Sequence, residues 1–485
     1  MPLLSILILI LAIQALPWPD PIFGSPAWAA AATLLTHAVV VLFGWWANAI
    51  LARQIAGRPD LRPRLVSRYR RVRLLLYGLN VCALFLSLGV WGWGAVVRES
   101  GPTTELPNGK AVLVPFFELV TIAPTVVATI LGWLGHHRVE WTLRQTIDPP
   151  PLVPFFGAGR FVLFNLRLYA LIVLGPVLLT ACQLSFNRCL PSIANHPVAI
   201  AGGTLVVLVV VVLMPLALPT VLGLVPMRRD GIRERFEAVA RRNGCRYRDI
   251  LVWPTRGTMV NAFVAGLVAN VRYIIVSDRL LDDLRPDEQD AVMGHEIGHV
   301  RHGHMAYFAV FLALSGWAIT AGTVRIYDEM RARGHEFTER DLAWFTVAPI
   351  GVLGLYLFVA FGWLSRKCER QADLFGAKAV SCADPDCDGH DSGATLAPGG
   401  TALCRTGLQT MASALECVLG RGESPDLLDR WLERIQAWQH GPTRGRIDYL
   451  QSLTGKTDTD RPFQRQFLVA KIAIVVALSM AIWFL

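Results

Sequence analysis

Nine stretches of this 485-residue chain are apolar over lengths close to what a lipid bilayer demands, and this constrains the fold more than any other feature. A helix needs roughly 20 mostly apolar residues to cross a hydrocarbon core. Inside that core every backbone N–H and C=O must find its partner within the segment. The runs are Leu3–Pro17, Ala27–Leu51, Leu74–Val97, Val112–Leu134, Phe161–Cys182, Val198–Val225, Ala306–Val324, Ala343–Leu364 and Phe467–Leu485. Only 17% of the residues are charged, against about a quarter in a soluble domain. The expected class is therefore predominantly α: an integral-membrane, multispan helical bundle of eight or nine spans. The first run is short, is interrupted by Gln14 and lacks a basic start, so it is expected to be a retained span rather than a signal peptide. No internal repeat is visible, and the nine scattered cysteines neither require nor exclude disulfides.

The net charge of +9 comes largely from arginines beside the apolar runs. Ala52–Arg73 alone holds eight, at positions 53, 58, 62, 64, 68, 70, 71 and 73. Such loops stay on the cytoplasmic side, so the charge reports topology and no nucleic-acid partner is expected. Alternation places Arg98–Lys110 and Ser185–Pro197 outside and His136–Arg160 inside. The basic segment MRRDGIRERFEAVARRNGCRYRD then falls inside too. The expected location is multi-pass in an inner or plasma membrane, with the polar middle of the chain facing the cytoplasm.

That polar middle changes the periodicity. Gly231–Arg242 has helical spacing and stops at Asn243-Gly244. DILVWP at Asp249, NAFVAG at Asn261 and RYIIVSD at Arg272 are short, β-branched or aromatic, and bounded by Gly, Asp or Pro, as strands are. Pro286-Asp287-Glu288 opens a helix, with acids at the positive end of its dipole. A small α+β domain on the cytoplasmic side is expected. The divisions are residues 1–226 for the N-terminal bundle, 227–304 for the sheet and its helix, and 305–365 for a transmembrane hairpin. Residues 366–466 form the second part of the domain, and 467–485 a last transmembrane helix.

The helix entering the seventh run reads AVMGHEIGHVRHGH. His295 and His299 are four apart and share a helix face, so both rings can reach one tetrahedral ion. Glu296 points to the side, where a carboxylate can take a proton from water activated by the metal. Gly294 and Gly298 leave backbone space near the ligands. A third ligand is needed. Position 305 is Met305, His302 stands nearly a turn beyond His299, and His304 falls on the opposite face of a continuous helix, so structural or supporting roles suit those two histidines. SRKCERQADLFGAKA offers a better one. Glu369 as third ligand gives a His₂Glu site, and Asp373, four residues on, can accept the free N–H of a ligating imidazole. The bland reading is a charged amphipathic helix in which Arg366, Lys367 and Arg370 pair with these carboxylates.

HEIGHVRHGH, SRKCERQAD and the NAF triplet, within Arg228–Leu453, resemble integral-membrane zinc metallopeptidases of the HtpX and CAAX prenyl endopeptidase type. The resemblance implies one Zn²⁺ per chain on His295, His299 and Glu369, with Glu296 as general base. It also implies an edge strand at Asn261, Ala262 and Phe263 that holds substrate backbone by β-augmentation. In WQHGPTRGRIDYL, His440 and Arg446 have the spacing of a family motif whose proline is replaced here by Gly441. By that analogy His440 helps stabilise the oxyanion and Arg446 supports the site through hydrogen bonds; otherwise the stretch is a loop and helix cap. Six spans before the domain exceed the two usual in the HtpX branch.

The implied activity is endoproteolysis of membrane or membrane-proximal proteins, in membrane-protein quality control. The alternative within the same chemistry is processing of lipidated CAAX-type C-termini. A rival of another class, a transporter or sensor that merely binds zinc, has no use for Glu296. Expected partners are protein or peptide substrates and the bilayer; the oligomeric state is not legible. One oddity remains in Ser381–Arg405. Cys382, Cys387, His390 and Cys404 there suggest a second metal or a redox clip, but the overall spacing fits no common zinc pattern and the composition is that of a loop insertion. Two helices are expected beyond it, the second opening at Ser424-Pro425-Asp426.

Overall fold

Prolines, more than hydropathy, decide where the apolar runs become helix. In the computed structural model, the described residues are 2–14, 18–22, 24–106, 109, 111–145, 155–190, 193, 197–384, 387, 389, 403–419, 438–454 and 460–484. Among them six helices are long and apolar enough to cross a membrane: Pro26–Gly57, Arg62–Gly89, Ala158–Cys189, His304–Ala332, Asp341–Ala379 and Arg461–Phe484. Leu4–Ile13 is a shorter apolar helix. The run expected to span from Val112 starts differently. Ala111–Leu113 is a strand, β2, paired antiparallel with β1, Thr103–Glu105. Pro115 comes next, Phe116 adopts φ 66°, and helix resumes only at Ala123–Gln145. Proline's missing N–H and fixed φ bar a continuous helix there. The run from Val198 is likewise cut: its helix ends at Leu213, and Pro215 and Pro219 divide the remainder into a 3₁₀ turn and the short helix Leu218–Leu222. The arginine-rich stretch from Arg62 is the first part of a helix rather than a loop.

The chain divides into two compact units. One comprises residues 1–207 and 335–350. Within it Leu51, Ile55, Leu65, Tyr69, Val139 and Leu143 form a buried cluster between the Pro26–Gly57, Arg62–Gly89 and Ala123–Gln145 helices. His37 is buried with both ring nitrogens engaged, Nδ1 with Thr33 O and Nε2 with Thr125 Oγ1, each at 2.9 Å. Such internal pairing is what makes a polar side chain tolerable in an apolar bundle.

The other unit comprises residues 208–334 and 351–485 and contains a four-stranded sheet. The strands are β3 (Val225–Pro226), β4 (Asp249–Trp253), β5 (Ala262–Ala265) and β6 (Tyr273–Ser277), in the order β3-β4-β6-β5. β4 and β6 run parallel, while β3 and β5 pair antiparallel at the edges. Phe236, Ile250, Ile274, Val276, Met293 and Ile297 fill the core between the sheet, the Gly231–Arg242 helix and the helix Pro286–Arg301. The latter starts at Pro286, where Glu288 Oε2 accepts the Arg285 N–H at 2.9 Å, one half of a capping box. A second cluster (Leu374, Ala377, Leu408, Met411, Leu415 and Leu450) joins the helices Gly362–Ala379, Arg405–Leu419 and Thr443–Gln451. The expected second helix at Ser424-Pro425-Asp426 lies outside the described residues, as does His390.

Candidate metal centre

Two helices carry the ionisable groups, and glycine lets them meet. On Pro286–Arg301, a Cβ at Gly294 would collide with Ala379 Cβ, and one at Gly298 would lie 2.9 Å from Phe375 Cβ. On Gly362–Ala379, a Cβ at Gly376 would lie 2.7 Å from Ala291 O and 3.1 Å from His295 N. The backbones therefore approach as closely as these three positions permit. The expectation that the glycines leave space near the ligands becomes a specific role: they set the distance between the two donor-bearing helices.

At that contact His295 Nε2 and His299 Nε2 are 3.2 Å apart. Glu369 Oε2 lies 3.6 Å from His295 Nε2, and Glu369 Oε1 lies 3.9 Å from His299 Nε2. Bonds of 2.0–2.1 Å to a tetrahedral ion imply donor–donor edges of about 3.3 Å, close to this triangle. The far nitrogens also have close polar neighbours. His295 Nδ1 lies 2.9 Å from Asp373 Oδ1, and His299 Nδ1 lies 2.9 Å from His304 Nδ1. A neutral His295 that keeps its proton on Nδ1, the ring nitrogen nearest Asp373, turns a bare lone pair inward. Burial, with His295 adding to it, lowers His299 to about 3, so that ring is neutral near pH 7. Burial alone would depress His295, but the carboxylates of Asp373 and Glu369 outweigh it and raise its pKa. Surroundings that draw a proton to His295 draw a cation equally. The donor set of His295, His299 and Glu369 thus fits a metal of zinc's preferences.

Glu296 lines the same cleft. Enclosure by the cleft walls raises its carboxyl to about 7, helped by Glu369, against the opposing effect of His295 and a hydrogen bond from the Val264 backbone. A group poised there suits proton transfer near neutrality. The cleft, about 530 Å³, is also lined by Asn261, Ala262, Phe263, Phe361, His440 and Arg446. His440 Nδ1 contacts Glu369 Oε1 at 2.8 Å. Arg446 donates from Nε to Asp373 Oδ2 at 2.8 Å and from Nη2 to Asp373 Oδ1 at 2.5 Å, and its Nη2 lies 3.2 Å from Glu369 Oε2. Burial works against the charge on Arg446, but Asp373 and Glu369 hold its pKa above the ordinary value. The substitution of Gly441 for proline has a local cause: its φ is +76°, which proline's ring forbids.

Sequence reasoning assigned Asn261 to backbone capture. Its main chain is already used, its N–H donating to Ser277 Oγ (3.0 Å) and its C=O accepting from Ser277 N–H (2.9 Å). In an antiparallel ladder alternate residues turn their main-chain groups away from the partner. Because Ala262 pairs with Val276 and Val264 with Ile274, it is Ala262 and Val264 that face the open edge. Two further residues were missed. Gln371 Oε1 lies 2.8 Å from His304 Nε2, and Lys471 Nζ donates to the same oxygen at 3.4 Å. A lone lysine in the run Phe467–Leu485 was the available signal, since charges in apolar helices pair with something.

Residues 226–392 match peptidase family M48. The chain carries an M48 peptidase domain. All four of His295, Glu296, His299 and Glu369 lie in the matched stretch. Over 126 residues, 25% of its length, the chain is 31% identical to the protease HtpX of Xanthomonas campestris pv. campestris strain B100, covering 43% of that protein. It is 34% identical, again over 126 residues, to the protease HtpX of Stenotrophomonas maltophilia strain R551-3, covering 44% of it. The chain thus spans less than half the length of these curated relatives. The crystal structure of S. mikatae Ste24p has a similar fold over 86% of this chain and 99% of its own, with a TM-score of 0.53 and 14% identity. That likeness of fold extends well beyond the M48 domain. With six membrane-length helices, the protein is a multi-pass membrane protein.

Proposed function

We propose that this protein is a zinc-dependent endopeptidase acting on membrane or membrane-proximal polypeptides, and that its site faces the cytoplasm. The observation that carries the reading is the convergence of His295, His299 and Glu369 beside Glu296, at the foot of an open strand edge. Zinc, when bound by these three side chains, supplies a Lewis acid for the scissile carbonyl and makes water a better nucleophile. The remaining work belongs to the chain. The outer edge of β5 takes substrate backbone in extended form through Ala262 and the Val264 C=O, the Val264 N–H being held by Glu296. Asn261 and Phe263 line the cleft beside it. Glu296 accepts a proton from the attacking water and passes it to the leaving amine. Asp373 fixes the tautomer of His295, with Arg446 holding Asp373 in place. His440, at the cleft wall against Glu369, is placed to donate to the developing oxyanion. Protein quality control in the membrane is the physiological role we favour. The cytoplasmic orientation rests on the basic segment from Met227 to Asp249, which positive-inside topology keeps on that side.

The test is the purified Glu296→Gln protein. Zinc content should match wild type, while cleavage of an unfolded membrane-protein substrate should fall by at least about a hundredfold. Unchanged cleavage with zinc still bound would overturn the mechanism.

A further inference from the structure

Away from the His₂Glu centre, three cysteines converge on one point. The Sγ atoms of Cys382, Cys387 and Cys404 all lie within 4.8 Å of one another, and none is in a disulfide. Zinc–thiolate bonds of about 2.3 Å imply sulfur–sulfur edges of about 3.8 Å, so modest side-chain adjustment brings all three onto one ion. We propose that Cys382, Cys387 and Cys404 form a second metal site, taking a borderline-soft divalent cation such as zinc, that clips the 382–404 insertion to the helix following it.

Three features of the backbone support the assignment. Ser381 Oγ donates to Ala377 O at 2.8 Å and accepts the Cys404 N–H at 3.1 Å, so both ends of the insertion are tied to one place. A Cβ at Gly407 would collide with Ser381 Oγ, which explains a glycine in the first turn of Arg405–Leu419. The Gly407 N–H donates to Cys404 Sγ at 3.3 Å. That contact fixes the Cys404 sulfur at the start of the helix, beside the other two. The sequence argument against this site is that its spacing fits no common zinc pattern and its composition is that of a loop insertion; the long gap from Cys387 to Cys404 is where the spacing departs. That gap is closed by the Ser381 tie, and Cys382 and Cys387, four residues apart between them, fall within the spacing usual for a thiolate pair. A disulfide would use two of the sulfurs and leave the third without a role. The helix so clipped carries Leu408, Met411 and Leu415 into the cluster with Leu374 and Ala377, so the second ion would brace the helix that bears Glu369.

The site can be tested on full-length protein purified in detergent under reducing conditions. Zinc measured by plasma mass spectrometry should be two per chain in wild type, one in His295→Ala and one in Cys382→Ser/Cys387→Ser. Cobalt-substituted wild type and His295→Ala should both show thiolate-to-cobalt charge-transfer absorption, and the double serine variant should not. If the serine variant does not fold, the cobalt spectrum of His295→Ala decides alone. Absence of that band in wild type and His295→Ala would overturn the proposal. So would a disulfide between any two of these cysteines, found by mass spectrometry in the freshly reduced preparation. Because the band arises from sulfur, its loss is distinguishable from any failure at the His₂Glu centre.

Discussion

His304 and His299 face one another across a break in the chain, Nδ1 to Nδ1 at 2.9 Å. The break is at Gly303, whose φ of +63° ends one helix and starts the next. If His299 gives its Nε2 lone pair to a metal, its Nδ1 must carry the proton, and His304 must accept it. His304 then donates from Nε2 to Gln371, whose Oε1 also receives Lys471. The chain of contacts fixes the tautomer and plane of a ligand, and loss of such a partner typically costs ten- to a hundredfold in metal affinity. His304→Ala is expected to weaken zinc binding by about that factor, measured by chelator competition, with the fold intact by circular dichroism. An unchanged dissociation constant would remove His304 from the site.

Arg446 sits between two acidic side chains, Asp373 and Glu369, and both are almost fully enclosed. Removing one member of a buried pair leaves an uncompensated charge, at about 3–5 kcal/mol. Arg446→Ala should lower the thermal midpoint in detergent, and more so after metal stripping, since the cation also balances Glu369. Arg446→Lys should recover little, because an ammonium does not reproduce the two-point contact on Asp373. Equal midpoints for metal-free wild type and Arg446→Ala would show that the pair contributes nothing.

Residue spacing made the centre legible and chain breaks hid its surroundings. Four-residue separations put His295 beside His299 and Glu369 beside Asp373, because the helix repeat alone determines which side chains share a face. A continuous helix puts His304 on the opposite face; the break at Gly303, ahead of a new apolar run, brings it round to His299. Asn261 was identified from a motif, but strand register decides which main-chain groups are free, and register is set by pairing with β6, which no local pattern encodes. β3 is two residues long and contains Pro226, too short for any periodicity to register. The start of the helix at Ala123 and the end of the helix at Leu213 depend on prolines inside apolar runs, where hydropathy alone smooths over the break.

Gly298 tests whether close helix approach sets the donor geometry. Alanine there gains about 1 kcal/mol in helix propensity. Its Cβ, however, would lie 2.9 Å from Phe375 Cβ and 3.2 Å from Ala372 Cα. Neither atom is the free end of a flexible side chain, so the helices must part, and overpacking of this kind costs about 1–3 kcal/mol. The packing cost should win. Gly298→Ala is expected to lose stability and to bind zinc more weakly, whereas alanine at Gly316, with nothing within 4 Å of the added carbon, should keep wild-type zinc affinity. Stabilisation by Gly298→Ala would mean that the propensity gain outweighs the packing.

The strand edge allows a separation of folding from substrate capture. Ala262 turns its N–H away from β6, so proline at 262 removes a donor that the sheet does not use. Phe263, opposite Ile275, turns its N–H toward β6, and proline there should break the ladder and destabilise the whole sheet. If substrate backbone adds to the β5 edge, Ala262→Pro deletes a hydrogen bond made to substrate, worth about 1 kcal/mol, or roughly fivefold in kcat/KM. The bond forms with extended substrate before any chemistry, so the change should appear mainly in KM, with kcat and thermal midpoint close to wild type. A lower kcat at constant KM would instead place Ala262 in the reacting geometry. An unaltered kcat/KM would mean that substrate enters the cleft without pairing to this strand, leaving Phe263 and the other cleft walls to set its position.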